Sequence, residues 1–344
     1  MEKVLVGMSG GVDSSSCAAV LKAQGFEVGG ITLMLCGIGD EQNIKDAKSV
    51  CDTLNIPHYT ANLEKEFTRF VKDYFVNEYI NGNTPNPCLE CNRHIKFGAM
   101  LDKAIELGYD KIATGHYAKI KKRDDGRFLL YRADDLSKDQ SYVLYSLTQK
   151  QLAHTLFPLG DKTKAESREI AAKNNLICAD RPDSQDICFV PDGDYAAFIE
   201  NHSNFKSVQG NYLSIDGKVL GKHQGVIHYT LGQRKGLGIA LGKPQFVIDK
   251  NAETNEVVLG DEEHLFKTEI IVRDVNFIPF DKLENPITAK VKLRYRHEPS
   301  EATIYPLENN CVKMIFEKPQ RAASPGQAAV FYDGDMCLGG GIIV

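Results

Sequence analysis

The stretch Ser9-Gly10-Gly11-Val12-Asp13-Ser14-Ser15 joins an apolar run, residues 4–8, to a helical pattern over residues 14–24. A glycine-rich turn between a strand and a helix leaves the first helical amides unpaired, beside the positive end of the helix dipole. The glycines let the backbone approach a ligand closely, and the serines add hydroxyl donors. The stretch therefore predicts an anion-binding loop, with an ordinary strand–turn–helix corner as the alternative.

Strand and helix patterns alternate outward from this loop through the first half of the chain. Such alternation predicts a doubly wound α/β fold, in which a parallel sheet carries helices on both faces. Ligands of these folds lie beyond the carboxyl ends of the strands, where the loop already lies. The expected strands are residues 3–8, 27–35, 58–62 and 111–115, and the expected helices are residues 14–24, 41–54, 64–80 and 94–107.

The rest of the chain changes character twice. Residues 119–131 predict a hairpin that turns at Asp125-Gly126, and helical patterns near 140–156 and 163–174 follow. The next sixty or so residues are rich in glycine and turns, and the chain after them shows only strand patterns. We therefore predict a catalytic α/β domain over 1–203, a small central linker domain over 204–267 and a C-terminal antiparallel β-barrel over 268–344.

The bulk composition excludes several classes of protein. With 344 residues, of which 42% are hydrophobic and 25% charged, the chain is typical of a soluble globular protein. It shows no leader and no apolar run that could span a bilayer, so we expect a cytoplasmic protein without membrane contact. A net charge of −5 means that an RNA partner would need local basic patches. Nine cysteines favour free, metal-bound or catalytic thiols over a disulfide framework.

Two cysteines of the loop 83–92, Cys88 and Cys91, lie just before a basic helical segment. The basic side chains at 93, 94 and 96 predict a lowered pKa for the Cys91 thiol, and hence a reactive thiolate. Cys188 is a second candidate, with a small buried hydrophobe as the alternative. The remaining cysteines are expected to have no chemical role: Cys17, Cys36, Cys51 and Cys178 in the core, and Cys311 and Cys337 in the barrel.

Four further motifs accompany the loop: residues 84–97 (TPNPCLECN-x-x-IKF), 113–118 (ATGHYA), 138–142 (KDQSY) and 183–189 (DSQDICF). The loop alone resembles the pyrophosphate-binding loop of N-type ATP pyrophosphatases, which cleave ATP between the α and β phosphates. The ordered set, over nearly the whole chain, resembles the tRNA-specific 2-thiouridylase family of that superfamily. This family replaces the C2 oxygen of the wobble uridine with sulfur in the tRNAs for Lys, Glu and Gln.

The resemblance implies a mechanism and a set of residues. ATP, with Mg²⁺ acting through Asp13, adenylates the C2 oxygen of uridine 34, so that AMP becomes the leaving group. Cys188 matches the position that carries a persulfide, supplied by a cysteine-desulfurase-fed sulfur donor. Cys91 matches the partner thiol, and a disulfide between the two would need an outside reductant. The implied ATP-binding residues are Gly7, Met8, Ser9, Gly10, Gly11, Val12, Asp13, Ser14, Met34 (under the adenine) and Gly115.

Cys88 departs from the family pattern, because much of the family has an aspartate there, proposed to act as a general acid/base. A thiol moves protons poorly, so this role does not carry over. Cys88 and Cys91 form C-x-x-C, and with Cys188 they would suit a [4Fe–4S] cluster that binds the incoming sulfide. A zinc site is a further alternative to the persulfide route.

A basic segment near the C-terminus is the expected RNA-binding surface. Residues 289–297 alternate apolar and basic side chains, which predicts one face in the barrel and a basic stripe (Lys290, Lys292, Arg294, Arg296) for phosphates. A solvated strand face is the alternative. Uridine 34 must leave the anticodon stack to reach buried thiols, so base flipping is expected. The resemblance implies tRNA contacts at Asn86, His116, Lys138, Asp139, Gln140, Arg294, Tyr295 and Gln327.

Two other functions remain open from the sequence. Another adenylating enzyme of the superfamily, such as GMP synthetase or argininosuccinate synthetase, would keep the loop chemistry but needs no paired cysteines. A non-enzymatic RNA-binding metalloprotein would use the three cysteines structurally, and would release neither AMP nor pyrophosphate in the presence of tRNA.

Overall fold

The computed structural model describes residues 1–37, 40–176 and 187–344, which form three β-sheets with helices around them. The strands are β1 (Lys3–Gly7), β2 (Glu27–Met34), β3 (His58–Asn62), β4 (Lys111–Ala113), β5 (Ala118–Lys122), β6 (Phe128–Arg132), β7 (Thr155–Leu156), β8 (Gly210–Ser214), β9 (Val219–His223), β10 (Phe246–Asn251), β11 (Glu256–Gly260), β12 (Phe266–Phe277), β13 (Ile287–Lys292), β14 (Ser300–Pro306), β15 (Val312–Arg321), β16 (Ala328–Asp333) and β17 (Met336–Ile343). The α-helices are α1 (Val12–Ala23), α2 (Asp40–Leu54), α3 (Glu64–Phe67), α4 (Asp73–Ile80), α5 (Pro87–Glu90), α6 (Met100–Glu106), α7 (Gln149–Ala153), α8 (Lys164–Lys173) and α9 (Tyr195–His202).

The first sheet confirms the prediction of a doubly wound α/β fold. Its strands are all parallel, in the order β3-β2-β1-β4-β7. Successive side chains of β1 point to opposite faces, so Leu5 packs into one buried core whereas Val4 and Val6 pack into another. Both faces of the sheet are therefore covered, as a parallel sheet requires. β1 and β4 are neighbours, which brings the chain after each of them to the same edge.

The helices of this domain contain irregular turns that periodicity alone does not reveal. The predicted helix over 64–80 consists of α3, a π-helical turn (Thr68–Lys72) and α4. The predicted helix over 94–107 begins earlier, with α5, and continues through a π-helical stretch (Cys91–Ala99) into α6. Cys91 therefore lies one turn inside this helical run, rather than at its N-terminus.

The predicted helix near 140–156 is wrong. This segment contains a 3₁₀ turn (Ser141–Val143), the short helix α7 and the edge strand β7. The Asp139 carboxylate accepts the N–H (3.2 Å) and the hydroxyl (2.9 Å) of Ser141, a local arrangement that competes with helix formation. The ring of Tyr142 is fully buried, and its hydroxyl donates to a carbonyl of β16 (2.9 Å). Tertiary packing therefore fixes the turn.

The central module is a small mixed sheet in the order β10-β11-β8-β9, in which β8 and β11 are parallel and the other pairs are antiparallel. Its buried Tyr212 shares one hydrophobic core with Phe75, Phe189 and Cys91. The module therefore packs directly against the helical layer that carries Cys91.

The third sheet forms the predicted antiparallel barrel, with one addition. Its strands follow the order β12-β15-β14-β13-β16-β17, and pairing of β12 with β17 closes the barrel. The hairpin of β5 and β6 turns at Asp125-Gly126 as expected, but it pairs with β17 and so extends the barrel sheet. The domain boundaries stay a prediction. Among the helices of the described ranges, none is both long and apolar enough to cross a membrane.

Candidate active site

The predicted anion-binding loop lies at the carboxyl end of β1. Gly10 has φ +74°, which glycine adopts without strain, and a Cβ there would lie 2.8 Å from Cβ of Asp46. The Ser14 hydroxyl accepts the N–H of Ser9 (3.2 Å) and donates to the carbonyl of Gly11 (3.1 Å), which holds the loop in shape. Helix α1 begins after Gly11 without a side-chain cap, so the amides of its first turn are left as donors for an anion.

Asp13, in the first turn of α1, is held by two residues that the sequence analysis missed. Lys164 donates to both carboxylate oxygens (2.7 and 2.9 Å), and the Tyr117 hydroxyl donates to one of them (2.8 Å). Lys164 is the first residue of α8, which starts with a capping box at Thr163. The T-x-x-E pattern of that box is visible in the sequence. The sequence does not show that α8 packs beside α1, which brings Lys164 to the loop.

The other residues that the resemblance assigns to ATP support the loop in different ways. A Cβ on Gly115 would lie 2.6 Å from the carbonyl carbon of Asp13, so only glycine fits there without a shift. Met8 and Val12 are 3% and 4% exposed, so their side chains support the loop from the core. Two positions lie on neighbouring strands: Gly7 ends β1 and the half-buried Met34 ends β2.

One cavity of about 1640 Å³ joins the loop to the barrel. Ser9, Gly11 and Asp13 line it on one side, and the basic residues of the segment 290–296 line it on the other. This volume exceeds the roughly 300–1,000 Å³ of common small-molecule pockets. The cavity therefore has room for more than one nucleotide.

The predicted alternation over residues 289–297 is correct only at its start. Val291 is buried and Lys290 is exposed, as expected for a strand with one face in the barrel. β13 ends at Lys292, which is 9% exposed, and burial lowers the pKa of its ammonium group. The regular strand stops there, and Tyr295 is 38% exposed instead of buried. The basic residues thus line a cavity rather than form a flat stripe.

The loop that carries Cys88 and Cys91 is docked onto the barrel. Gln327 donates through Nε2 to the carbonyl of Thr84 (2.6 Å), and the N–H of Thr84 donates to a barrel carbonyl (2.8 Å). The side chain of Asn86 caps α5 by accepting the N–H of Cys88 (3.1 Å). Gln327 and Asn86, which the resemblance assigns to tRNA, therefore also position the thiol loop.

The fold gathers Cys88, Cys91 and Cys188, although Cys188 is remote in the chain. The pKa of Cys91 is raised to about 11 and that of Cys188 to about 12, mainly by desolvation and in part by neighbouring thiols. Desolvation also raises the pKa of Cys88. Cys88 and Cys188 are exposed at the protein surface, yet the protein around them still raises the pKa of each thiol and favours its neutral form.

The prediction of a lowered pKa for Cys91 is therefore wrong. Lys96 does lower the pKa of this thiol, as expected from its positive charge. The larger effect comes from burial, because Cys91 is only 9% exposed and the neutral thiol is favoured away from water. The basic residues beside it in sequence could indicate the sign of their own influence, but not the extent of burial.

Cys36 is a fourth thiol of this cluster. The expectation that it lies in the core without a chemical role is therefore wrong. It follows β2, is half-buried, and packs against the hydrophobic core to which Cys91 belongs. Its thiol contributes to the raised pKa values of Cys91 and Cys188. The strand pattern could not show that the end of β2 lies beside the thiol loop. Of the other expected core and barrel thiols, Cys17, Cys51 and Cys337 are buried, Cys311 is half-buried, and Cys178 lies outside the described residues.

The thiol cluster does not fit a metal centre. Across residues 1–37, 40–176 and 187–344, no group of three or more His, Cys, Asp or Glu side chains is arranged to hold a metal ion. Cys88, Cys91 and Cys188 are thus electrostatic neighbours without the arrangement that a [4Fe–4S] cluster or a tetrahedral zinc ion needs.

The motif over residues 183–189 is only partly placed, because residues 183–186 lie outside the described part of the chain. Phe189 anchors the described part: it is 4% exposed and packs edge-to-face on Phe67 and Phe75, with ring centroids 5.7 and 5.4 Å apart. Cys188 is therefore held at the edge of the core that contains Cys91.

The residues that the resemblance assigns to tRNA differ in accessibility. His116 is 9% exposed, its Nδ1 lies 2.7 Å from Oγ1 of Thr114, and burial lowers its pKa well below the usual value. Asp139 is also buried, and its carboxylate is occupied by the hydrogen bonds to Ser141 described above. Contacts of all these residues with tRNA stay predictions. Six of them line the large cavity: Lys138, Asp139, Gln140, Arg294, Tyr295 and Gln327.

Three family models match the chain in succession. Residues 2–192 match the "tRNA methyl transferase HUP domain", residues 196–261 the "tRNA methyl transferase PRC-barrel domain", and residues 267–343 the "Aminomethyltransferase beta-barrel domain". The first of these models alone covers more than half of the chain. Their order is the order of the three sheets.

Curated relatives match over the full length. The tRNA-specific 2-thiouridylase MnmA of Clostridium beijerinckii is 51% identical over 99% of this chain and 98% of that protein. The proteins of the same name from Acetivibrio thermocellus and Lachnoclostridium phytofermentans are 49% and 48% identical, over 99% and 100% of both chains. With the pyrophosphatase-type loop, the three-sheet architecture and identity at this level over the whole length, the chain is an enzyme of the tRNA-specific 2-thiouridylase family.

Proposed function

We propose that this chain uses ATP to replace the C2 oxygen of uridine 34 in tRNA with sulfur. The observation that carries the proposal is the shared cavity, which the anion-binding loop lines on one side and the barrel on the other. Tyr295 on its wall is close enough to Cys88 for the thiol to contribute to the raised pKa of the tyrosine. A nucleotide and a flipped base can therefore meet in this cavity, with the Cys88 thiol near Tyr295 on its wall, as reaction between them requires.

Adenylation is the first step of the proposal. The amides of the first turn of α1 and the hydroxyls of Ser9 and Ser14 bind the phosphates of ATP. Asp13 supplies the carboxylate oxygens that Mg²⁺ prefers, and that ion would stabilise the charge of the departing pyrophosphate. The C2 oxygen of the uridine attacks the α-phosphorus and pyrophosphate leaves. The uridine then carries AMP as a leaving group.

Sulfur transfer is the second step, through Cys188 and Cys91. The terminal sulfur of a Cys188 persulfide attacks C2, and AMP departs with the former C2 oxygen. The Cys91 thiolate then attacks Sγ of Cys188, which breaks the S–S bond, releases 2-thiouridine and leaves a Cys91–Cys188 disulfide. A dithiol reductant resets this disulfide, and a cysteine-desulfurase-fed donor supplies the next sulfur. Cys91 must lose its proton beforehand, and Lys96 is the cation that favours its thiolate.

The anticodon loop enters from the barrel side in this proposal. The guanidinium of Arg294 is fixed at the cavity by the carbonyl of Ala322 and the hydroxyl of Ser324 (3.2 Å). The exposed ring of Tyr295 stands edge-to-face with Tyr142, with centroids 6.0 Å apart, and offers a surface on which a flipped base can stack. The expected substrates are the cytoplasmic tRNAs for Lys, Glu and Gln.

The test is a reconstituted reaction with ATP, Mg²⁺, a sulfur donor and an unmodified tRNA transcript for Glu. We expect AMP, pyrophosphate and 2-thiouridine in equal amounts, and none of the three from a transcript with cytidine at position 34. Mass spectrometry of the nucleosides separates exchange of oxygen for sulfur from addition of a methyl group, the reaction named in the family-model descriptions. A methylated nucleoside, or AMP release that does not depend on uridine 34, would overturn the proposal.

The same reaction separates the persulfide route from a route through a [4Fe–4S] cluster. Protein purified without oxygen is assayed for iron and sulfide, and then for activity in air after chelation. The persulfide route predicts that activity survives the loss of iron, and that Cys88→Asp, which restores the usual family residue, remains active. Activity that disappears together with the iron would favour the cluster.

A further inference from the structure

We propose that Lys164 is a phosphate-binding residue. When ATP binds, its ammonium group breaks the ion pair with Asp13 and binds the phosphates of the pyrophosphate half instead. This inference rests on the proposed use of ATP and adds to it a residue outside the glycine-rich loop. Lys164 lies 151 positions after Asp13 in the chain, so no local motif announces it.

The ammonium group of Lys164 borders the space in which the loop would hold a phosphate. Its Nζ lies 2.7 and 2.9 Å from the two carboxylate oxygens of Asp13, and the side chain is only 13% exposed. Lys164 and Asp13 line the large cavity together with Ser9 and Gly11. A nearly buried cation therefore faces the same cavity as the loop amides.

The backbone beneath Lys164 is firmly placed. The Thr163 hydroxyl accepts the N–H of Glu166 (3.2 Å), and the Glu166 carboxylate accepts the N–H of Thr163 (2.7 Å). The buried hydroxyl of Ser16, on α1, donates to the carbonyl of Ser167, on α8 (2.6 Å). Because α8 is joined in this way to the helix that begins at the loop, Lys164 can reach a phosphate by moving its side chain alone.

An exchange of partners follows from the charges. Asp13 and Lys164 neutralise each other in the structure. Mg²⁺ with ATP brings a cation that prefers carboxylate oxygens, and phosphates that prefer an ammonium group, so each side chain gains a better partner. The Tyr117 hydroxyl, 2.8 Å from Asp13, keeps the carboxylate in position while Lys164 turns away. Lys164 should therefore add to the affinity for phosphates and not to the affinity for adenosine.

Calorimetric titrations with pyrophosphate and with adenosine, both in Mg²⁺, test the inference on the full-length protein. We expect Lys164→Gln to weaken pyrophosphate binding by about tenfold or more, with adenosine binding unchanged. Lys164→Arg keeps the charge and should recover part of the affinity. Lys173→Gln is the matched control, because Lys173 lies on the same helix but pairs with Glu169 at the surface. It should bind both ligands like the wild type.

Each other outcome overturns the inference in a recognisable way. If Lys164→Gln binds pyrophosphate as tightly as the wild type, the inference fails and the proposed function stands. If Lys164→Gln and Lys164→Arg lose adenosine and pyrophosphate binding alike, the role of Lys164 is structural, and a lowered thermal unfolding midpoint would accompany that result. If the wild type neither binds pyrophosphate nor releases it from ATP with tRNA, the proposed function fails as well.

Discussion

The anion-binding loop at the large cavity and the thiol cluster (Cys36, Cys88, Cys91 and Cys188), here called the loop end and the thiol end of the site, differ in how far they are prepared for reaction. At the loop end, Asp13 already lies within 2.9 Å of Lys164 and Tyr117, and Ser14 holds the loop by two hydrogen bonds. At the thiol end, burial raises the pKa of Cys91 to about 11 and of Cys188 to about 12, so both are neutral at physiological pH. The proposed adenylation therefore has a preformed site, whereas the proposed sulfur nucleophile needs activation.

The largest expected effect comes from removing the thiols. Cys91→Ser and Cys188→Ser should each lower 2-thiouridine formation by about a thousandfold or more, because each removes a group that forms a bond in the proposed reaction. Cys311→Ser is the matched control, since Cys311 is half-buried in the barrel and is not among the thiols that raise the pKa of Cys91 and Cys188. Nucleoside analysis of the product tRNA measures the effect, while tRNA binding should survive in all three variants. If 2-thiouridine still forms in either active-site variant, sulfur transfer does not depend on that thiol, and the assignment of sulfur transfer to the thiol end fails.

A smaller loss is expected from crowding the loop end. Gly115→Ala places a Cβ 2.6 Å from the backbone of Asp13, so either β4 or α1 must shift. We expect kcat/KM for ATP to fall by about ten- to a hundredfold, and the free energy of unfolding to fall by about 1–3 kcal/mol.

Gly126→Ala separates crowding from backbone strain. Gly126 has φ +93°, but a Cβ there would meet nothing within 4 Å. This variant should lose a little stability and keep its affinity for ATP. Equal effects on ATP turnover in the two glycine variants would mean that the close approach of Gly115 to the backbone of Asp13 does not matter for ATP binding.

The loop end and the thiol end also differ in how well sequence reasoning predicted them. The anion-binding loop, the order of strands and helices around it and the barrel depend on local patterns, so they could be predicted. Whether Lys164, Tyr117 and Cys36 belong to the site depends on which helix and which strand end lie beside the loop or the thiols. No local sequence pattern contains that information. The gathering of Cys91 with Cys188 was expected from family resemblance and not from spacing.

Sequence reasoning failed where burial opposes charge. The basic residues after Cys91 predicted a thiolate, but desolvation outweighs the positive charge of Lys96. The alternation over 289–297 failed for a similar reason, because β13 ends at Lys292 and this residue is buried. In both places the tertiary environment, rather than the neighbouring residues, decides the outcome.

A several-fold effect is expected from Lys96, which tests the activation of the thiol end. Lys96 is the cation that lowers the pKa of Cys91, so Lys96→Gln should raise this pKa further and slow alkylation of Cys91 by about three- to tenfold at a fixed pH. In the wild type, the alkylation rate should rise about tenfold per pH unit from neutrality toward the pKa of about 11. Peptide mapping after iodoacetamide treatment measures both.

Lys103→Gln is the control for this change. Lys103 lies on the next helix, α6, and pairs with Glu106 at the surface. It should leave the alkylation rate of Cys91 unchanged. A rate that is already high at pH 7 and does not depend on Lys96 would show that the thiol end is as well prepared as the loop end.

The smallest effect is expected at the barrel wall. Lys290 is exposed and lines the cavity, so Lys290→Gln should weaken tRNA binding by about two- to fivefold and reduce the slope of log affinity against log salt by about one. Lys313→Gln, on β15, is the control, because Lys313 pairs with Glu269 and is not among the cavity-lining residues. Equal slopes for both variants would place the tRNA elsewhere.

The most direct measurement follows label from ATP, radiolabelled at its α-phosphate, into tRNA in the Cys188→Ser variant. A preformed adenylation site beside a disabled sulfur nucleophile predicts that labelled AMP becomes attached to uridine 34 and pyrophosphate is released, with no 2-thiouridine formed. Unlabelled tRNA combined with undiminished 2-thiouridine would contradict the assignment of adenylation to the loop and of sulfur transfer to Cys188.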